Sequence, residues 1–384
     1  MIGAKFSRRS AVTLATVALL AGCKMIPKAP EGAPPPPTEQ PSDALPTDTQ
    51  RHRIALLVPL SGTNAQVGQA LANAATMALL DTNASNLRIT NYDTATGSAN
   101  AAAKAIADGN KLILGPLTAD DIPGVATAAR AAKVPVISFS NDEQAASRDV
   151  LIMGSLPSQS IARSVAFAKT QGASRFAALV PTGEYGQRAS AALMNSVRAG
   201  GGTVVAMENF DRSSTSLVNA TRRLKDKGGF DTVLIADSGR IAAQAGPLLR
   251  PAGASPPRIL GTELWRGETV LVETPALRGA IYAAVSDARF GRFAESYRSR
   301  FGGQPNRIST LGYDAVLLTL RVARNWKPGA NFPTASLFAK DGFLGLDGPF
   351  RFDNNGLIER TFEVREIRSG GVSVVSPAPT GFGN

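Results

Sequence analysis

From Ile54 onward the apolar positions follow two alternating rhythms. Ile54-Ala55-Leu56-Leu57-Val58 is an unbroken apolar run closed by Pro59 and Ser61-Gly62, the pattern of a strand buried on both faces. Val67, Ala70, Leu71, Ala74 and Ala78 then recur at helical spacing, and Asp81 and Asn83 close the segment. The alternation repeats. Strand-like runs lie at 87–92, 112–114, 134–138, 176–180, 204–207, 232–236, 258–260 and 280–284. Helix-like runs between most of them span 99–107, 122–132, 160–170, 187–199, 217–227 and 240–249. Strands that alternate with helices predict an α/β fold with parallel sheets. The sequence Leu156-Pro157-Ser158 separates two such sets, so two lobes are expected. Two further helices are predicted at 290–301 and 310–326. The chain then turns antiparallel: a strand enters a tight turn at Asp353-Asn354-Asn355-Gly356, and 362–367 and 372–375 close a small β segment.

The first 53 residues break this pattern. Lys5, Arg8 and Arg9 precede a 12-residue apolar stretch, 11–22. A membrane-spanning helix needs about 20, so the stretch reads as the core of a secretory signal. It ends in Leu20-Ala21-Gly22-Cys23, which resembles a bacterial lipobox. The resemblance implies cleavage after residue 22 and lipidation of Cys23. Lys24, where Asp would retain a lipoprotein in the inner membrane, implies a periplasm-facing protein held in the outer membrane. Residues 23–52 read as a tether. They carry Pro27, Pro30, the run Pro34-Pro35-Pro36-Pro37, Pro41 and Pro46, and favour extended polyproline II. At about 3.1 Å per residue such a segment reaches up to roughly 90 Å. The expected lobes are 53–157 plus 288–341 for the first and 158–287 plus 342–384 for the second.

Composition then removes several chemistries. The 384 residues include one His, His52, and one Cys, Cys23. Zinc sites built from Cys₄, Cys₂His₂ or His₃ cannot form, nor can a disulfide within the chain. No GxxxxGK[ST] loop, G-x-S-x-G elbow or S-x-x-K motif occurs. No enzyme, metal or cofactor is therefore expected. The formal net charge is +11, and loss of residues 1–22 with their three basic side chains takes it to +8. Residues 24–53 sum to zero, so that charge belongs to the body from Ile54 onward, where it suits anionic wall polymers or lipid headgroups. An exported chain with no recognisable module is not expected to bind nucleic acid.

Six segments together resemble leucine-type (type 1) periplasmic binding proteins. They are the 54–62 opening, Leu114-Gly115-Pro116-Leu117-Thr118, the 134–140 run, Glu184-Tyr185-Gly186, Leu311-Gly312-Tyr313-Asp314-Ala315, and the 343–353 stretch. The resemblance implies a two-lobed α/β fold, each lobe a parallel sheet flanked by helices. It also implies a cleft in which Leu117, Thr118, Ser138 and Ser140 line the first lobe's wall and Tyr185 closes from the second. Asp237 would accept a ligand ammonium. Thr118 and Asp237 read equally well as helix caps, and Trp265 is placed at the cleft or at an interface. Thr118 is followed by Ala119 where a second hydroxyl is usual, a thinned carboxylate clamp.

Residues 137–142 and 356–360 are similar to the branch of penicillin-binding protein activators. That likeness implies a non-enzymatic regulator whose partner is a penicillin-binding protein or other cell-wall synthase. The alternative is the substrate-binding lipoprotein of an ABC importer for amino acids or amides, with a permease as partner. Both readings share the fold, the cleft and a membrane at the lipid anchor; they differ in whether the cleft is occupied, by an amino-acid-like small ligand in the importer reading, and in which membrane holds Cys23.

Overall fold

The computed structural model describes residues 50–250 and 256–382. The expected signal, Cys23 and the tether as far as residue 49 lie outside the described residues. His52 does not belong to a tether. It opens β1 (His52–Val58), which is followed by β2 (Leu87–Asp93), β3 (Leu112–Leu114), β4 (Val136–Ser138) and β5 (Val150–Ile152). These form one parallel sheet in the order β2-β1-β3-β4-β5. Ile54 to Val58 are fully buried, because helices cover both faces of the sheet, as an all-parallel sheet requires. β5 was not expected from the sequence. Its three apolar residues are too few to show a period.

The second lobe is built from β6 (Arg175–Pro181), β7 (Thr203–Phe210), β8 (Thr232–Ile235), β9 (Arg258–Leu260) and β10 (Ile281–Ala284). The chain then forms a small antiparallel sheet, β11 (Phe343–Gly345), β12 (Gly348–Phe352) and β13 (Ile358–Arg360). It finishes with β14 (Glu363–Arg368) and β15 (Gly371–Ser376), which join the second lobe's sheet in the order β15-β14-β10-β9-β8-β6-β7. β14 and β15 run antiparallel to their neighbours.

The expected boundary at 342 needs correction. Phe350, Phe352 and Ile358 belong to the same buried cluster as Leu57, Leu114 and Ile152 of the first sheet. A parallel bridge between Ile152 and Leu357 ties the small sheet to β5. Residues 343–360 therefore pack with the first lobe, and only β14 and β15 belong to the second. The helix Thr310–Ala323 also ends before Trp326. That indole leaves the helix to stack on His52, with ring centroids 4.0 Å apart. No helix among the described residues is long and apolar enough to cross a membrane.

Phe350→Ala tests the corrected boundary. Truncating this buried ring should cost about 3–5 kcal/mol, read as a fall in the denaturant midpoint. A loss under about 1 kcal/mol would mean that the small sheet is not part of the core.

Candidate functional site

In parallel sheets every strand ends on the same side, and the loops that follow build the site. In the first lobe Gly115 follows β3 with φ +102°, and a side chain there would run into the Leu57 carbonyl. Only glycine allows this close approach, and it delivers Leu117 to the cleft. After β4 come Phe139, Ser140 and Asn141. In the second lobe the 3₁₀ turn Glu263–Trp265 follows β9. Trp265 is fully buried, and its Nε1 donates to the Asp237 carbonyl at 3.0 Å. That anchor fixes the turn, and Glu263 and Leu264 face the space between the lobes.

These loops enclose a cavity of about 410 Å³. Leu117, Phe139, Leu264, Val285, Ile308 and Phe362 give it apolar walls, and Ser140, Glu263, Arg266, Arg307 and Thr310 add polar groups. Apolar walls with few convergent polar groups are the usual make-up of a small-molecule site. Across its rim, Arg188 of the second lobe donates to Asn141 Oδ1 at 2.9 Å. Glu184 steadies the same guanidinium at 2.7 Å.

The floor is ionic. Asp347 is buried and takes Arg307 at 2.8 Å, Arg266 at 3.4 Å and the Thr310 hydroxyl at 2.8 Å. Asp287 takes Arg266 at 2.6 Å, Arg307 at 3.0 Å and Arg365 at 2.6 Å. Arg307 also lies 3.6 Å over the Phe290 ring. Asp347, at 6% exposed, is the buried member, and removing its partners would leave its charge uncompensated at a cost of about 3–5 kcal/mol; Asp287 is 46% exposed, so its pairs are screened by solvent and contribute less. Below it, Asp314 is fully buried. Burial, then the charge of Asp347, pushes its carboxyl up to about 7, against the pull of Arg360.

The candidates named from sequence separate. Leu117 and Ser140 line the cavity. Ser138 is fully buried, donating to the Pro116 carbonyl at 2.9 Å and accepting from the Ser140 amide at 3.1 Å. Thr118 donates to Asp121 at 2.6 Å, just ahead of the helix Ile122–Ala132. Asp237 is buried away from the cavity wall, with Arg212 2.8 Å from its carboxylate. Its charge is already matched, so it is not placed to take a ligand ammonium. Trp265 is core rather than cleft or interface.

Tyr185 acts through a neighbour. Its hydroxyl lies 3.0 Å from both Thr262 Oγ1 and Glu263 Oε1. Burial, then the Glu263 charge, raises its pKa well above the ordinary value. Glu263 itself was missed by sequence reasoning, although its position directly after the 258–260 strand was a usable signal. It has no basic partner among the described residues, and its Oε2 has no hydrogen-bond partner within the protein. Burial pushes its pKa up to about 7. Among the described residues no group of His, Cys, Asp and Glu could hold a metal ion.

The Glu263 shift has a definite sign. Stability from holding its proton is complete below about pH 4.5 and is lost as pH rises through about 7. Unfolding free energy should fall across that interval. Glu263→Gln should flatten the fall in part, since Asp314 contributes in the same direction. An unchanged slope in the variant would assign the buried proton elsewhere.

Several solved structures share this architecture. A putative branched-chain amino acid ABC transporter protein from Rhodospirillum rubrum superimposes with a TM-score of 0.75 at 21% identity, covering 85% of this chain and 100% of that one. A branched-chain amino acid transporter substrate-binding protein from Streptococcus pneumoniae, in complex with isoleucine, gives 0.61 at 19%, covering 85% and 100%. An ABC-transporter solute-binding protein from Rhodopseudomonas palustris, in complex with 3,4-dihydroxybenzoic acid, gives 0.63 at 19%, covering 86% and 99%. Comparison with curated protein sequences returns no match. At these identities the likeness establishes the fold. The periplasmic binding protein family profile matches residues 52–371, and the chain belongs to that family.

Proposed function

We propose that this protein is the solute-binding component of an importer and that its ligand is an amino acid or a close relative, held between the lobes. The observation that carries this reading is the carboxyl of Glu263, without a basic partner among the described residues, on the wall of a cavity of about 410 Å³ whose two arginines, Arg266 and Arg307, are already paired with Asp287 and Asp347. A ligand ammonium would supply the missing charge and allow Glu263 to ionise in a charge-assisted hydrogen bond. Ser140, at the end of β4, stands on the opposing lobe to meet the ligand's polar head. The apolar walls suit an aliphatic or aromatic side chain. Closure of the lobes, with Arg188 against Asn141 at the rim, would present a matched surface to a permease. The role is binding, with no bond made or broken.

A thermal-shift screen of the twenty amino acids and of hydroxybenzoates tests the proposal. A tight ligand at a hundredfold its Kd stabilises by about 2.7 kcal/mol, a rise of several degrees. The expected hit is an apolar amino acid whose shift disappears in Glu263→Gln. Hits confined to benzoates would overturn the ammonium assignment while leaving a solute-binding role.

The second reading is a regulator similar to penicillin-binding protein activators. It is supported by the internal engagement of Thr118 and Ser138, which leaves the expected amino-acid clamp incomplete. No hit in the screen, together with crosslinking to a penicillin-binding protein, would establish it over the importer role.

Under either reading we place the protein in the periplasm, held by acylated Cys23 in the outer membrane. Cys23→Ser should move it from the membrane fraction to the soluble fraction with its melting temperature unchanged. Continued retention in the membrane fraction would refute the anchor.

A further inference from the structure

The strands β1 to β5 all begin at the end of the first lobe opposite the cleft, and the helices between them finish there. The described chain also enters at that end, since His52 opens β1 and stacks on Trp326 just beyond the last helix of the lobe. The charge there is one-sided. Arg53 lies on β1, Lys111 immediately precedes β3, Lys133 caps the helix before β4 and Arg148 leads into β5. Arg324 and Lys327 flank Trp326. Lys133, Arg148, Arg324 and Lys327 are exposed.

Three of the carboxylates at that end are already paired with a base. Asp81 holds Arg300 at 2.7 Å, Asp108 holds Lys104 at 3.7 Å and Asp149 holds Arg130 at 2.5 Å. Asp353 accepts from the amides of Asn355 and Leu357 within its own turn. The six named basic residues have no ionic partner among the described residues.

We propose that this basic end of the first lobe is a docking surface for an anionic phospholipid bilayer. Each unpaired Lys or Arg near such a membrane adds to the attraction, raising the affinity by about fivefold per residue. The effect acts within roughly 10 Å at ordinary ionic strength, so it requires the close approach that the exposed Lys133, Arg148, Arg324 and Lys327 allow. Seated on this end, the body would hold the interlobe cavity away from the lipid and open to solute. The Cys23 anchor supplies proximity and orientation only, and the surface chemistry does not depend on it.

The test uses the full chain carrying Cys23→Ser, so that no acyl chain contributes, in co-sedimentation with phosphatidylcholine vesicles with and without phosphatidylglycerol. Binding should require phosphatidylglycerol and weaken steeply with added NaCl. Reversing Lys133→Glu, Arg148→Glu, Arg324→Glu and Lys327→Glu together should reduce it by more than about tenfold. Reversing Arg198→Glu, Arg222→Glu, Arg240→Glu and Arg292→Glu should change it less than about threefold, since those residues lie elsewhere on the body. Equal losses in the two sets would reduce the effect to net charge and overturn the proposal, as would binding that ignores phosphatidylglycerol. If the first set fails to fold, Lys133→Gln with Lys327→Gln should still weaken binding several-fold, and no change would overturn the proposal. Failure of the anchor would appear separately, as wild-type protein in the soluble cell fraction, and would leave the vesicle result intact.

Discussion

The buried carboxylate of Asp347 is where the two lobes meet. It gathers Arg266 from the second lobe and Arg307 and Thr310 from the first, and Asp287 extends the same network to Arg365 on β14. Charges this deep are tolerated only because each is paired. The network therefore fixes how the lobes face one another, and it forms the floor of the cavity between them. The loops that carry Ser140 and Glu263 stand at their separation partly because this floor holds.

Above the floor, the site follows from strand direction. Parallel strands deliver their following loops to one side, so two sheets facing each other produce one shared cavity. The same geometry sends all the strand beginnings of the first lobe to the far end, where basic residues collect. Ligand chemistry and surface chemistry are thus separated by the thickness of a lobe. Inside the cavity the charge balance is close, with Arg266 and Arg307 answered by Asp287 and Asp347. Glu263 is the carboxyl left without a base, and its raised pKa reports the same fact.

The fold was legible in the sequence because its signals are local. Buried parallel strands are short apolar runs, and amphipathic helices repeat every three to four residues. Misreadings came where local pattern and tertiary packing diverge. β5 is too short to show a period. The 343–360 hairpins read as a C-terminal finish to the second lobe, but their phenylalanines fill the first lobe's core.

Site residues were harder to read. Leu117 and Ser140 were named through the resemblance to leucine-type binding proteins, whose motifs match at the turns after two strands. Asp237 ends a strand in the same way, yet its carboxylate is taken by Arg212, 25 positions earlier in the chain. Glu263 also follows a strand, but it faces the cavity because Trp265 is pulled into the core beside it. Sequence alone determined the two-lobed α/β architecture and the side of each sheet on which a ligand would sit. Tertiary structure decided which acid is paired and which is free. That depends on partners distant in sequence, and a side chain's charge becomes available only when no such partner has already taken it.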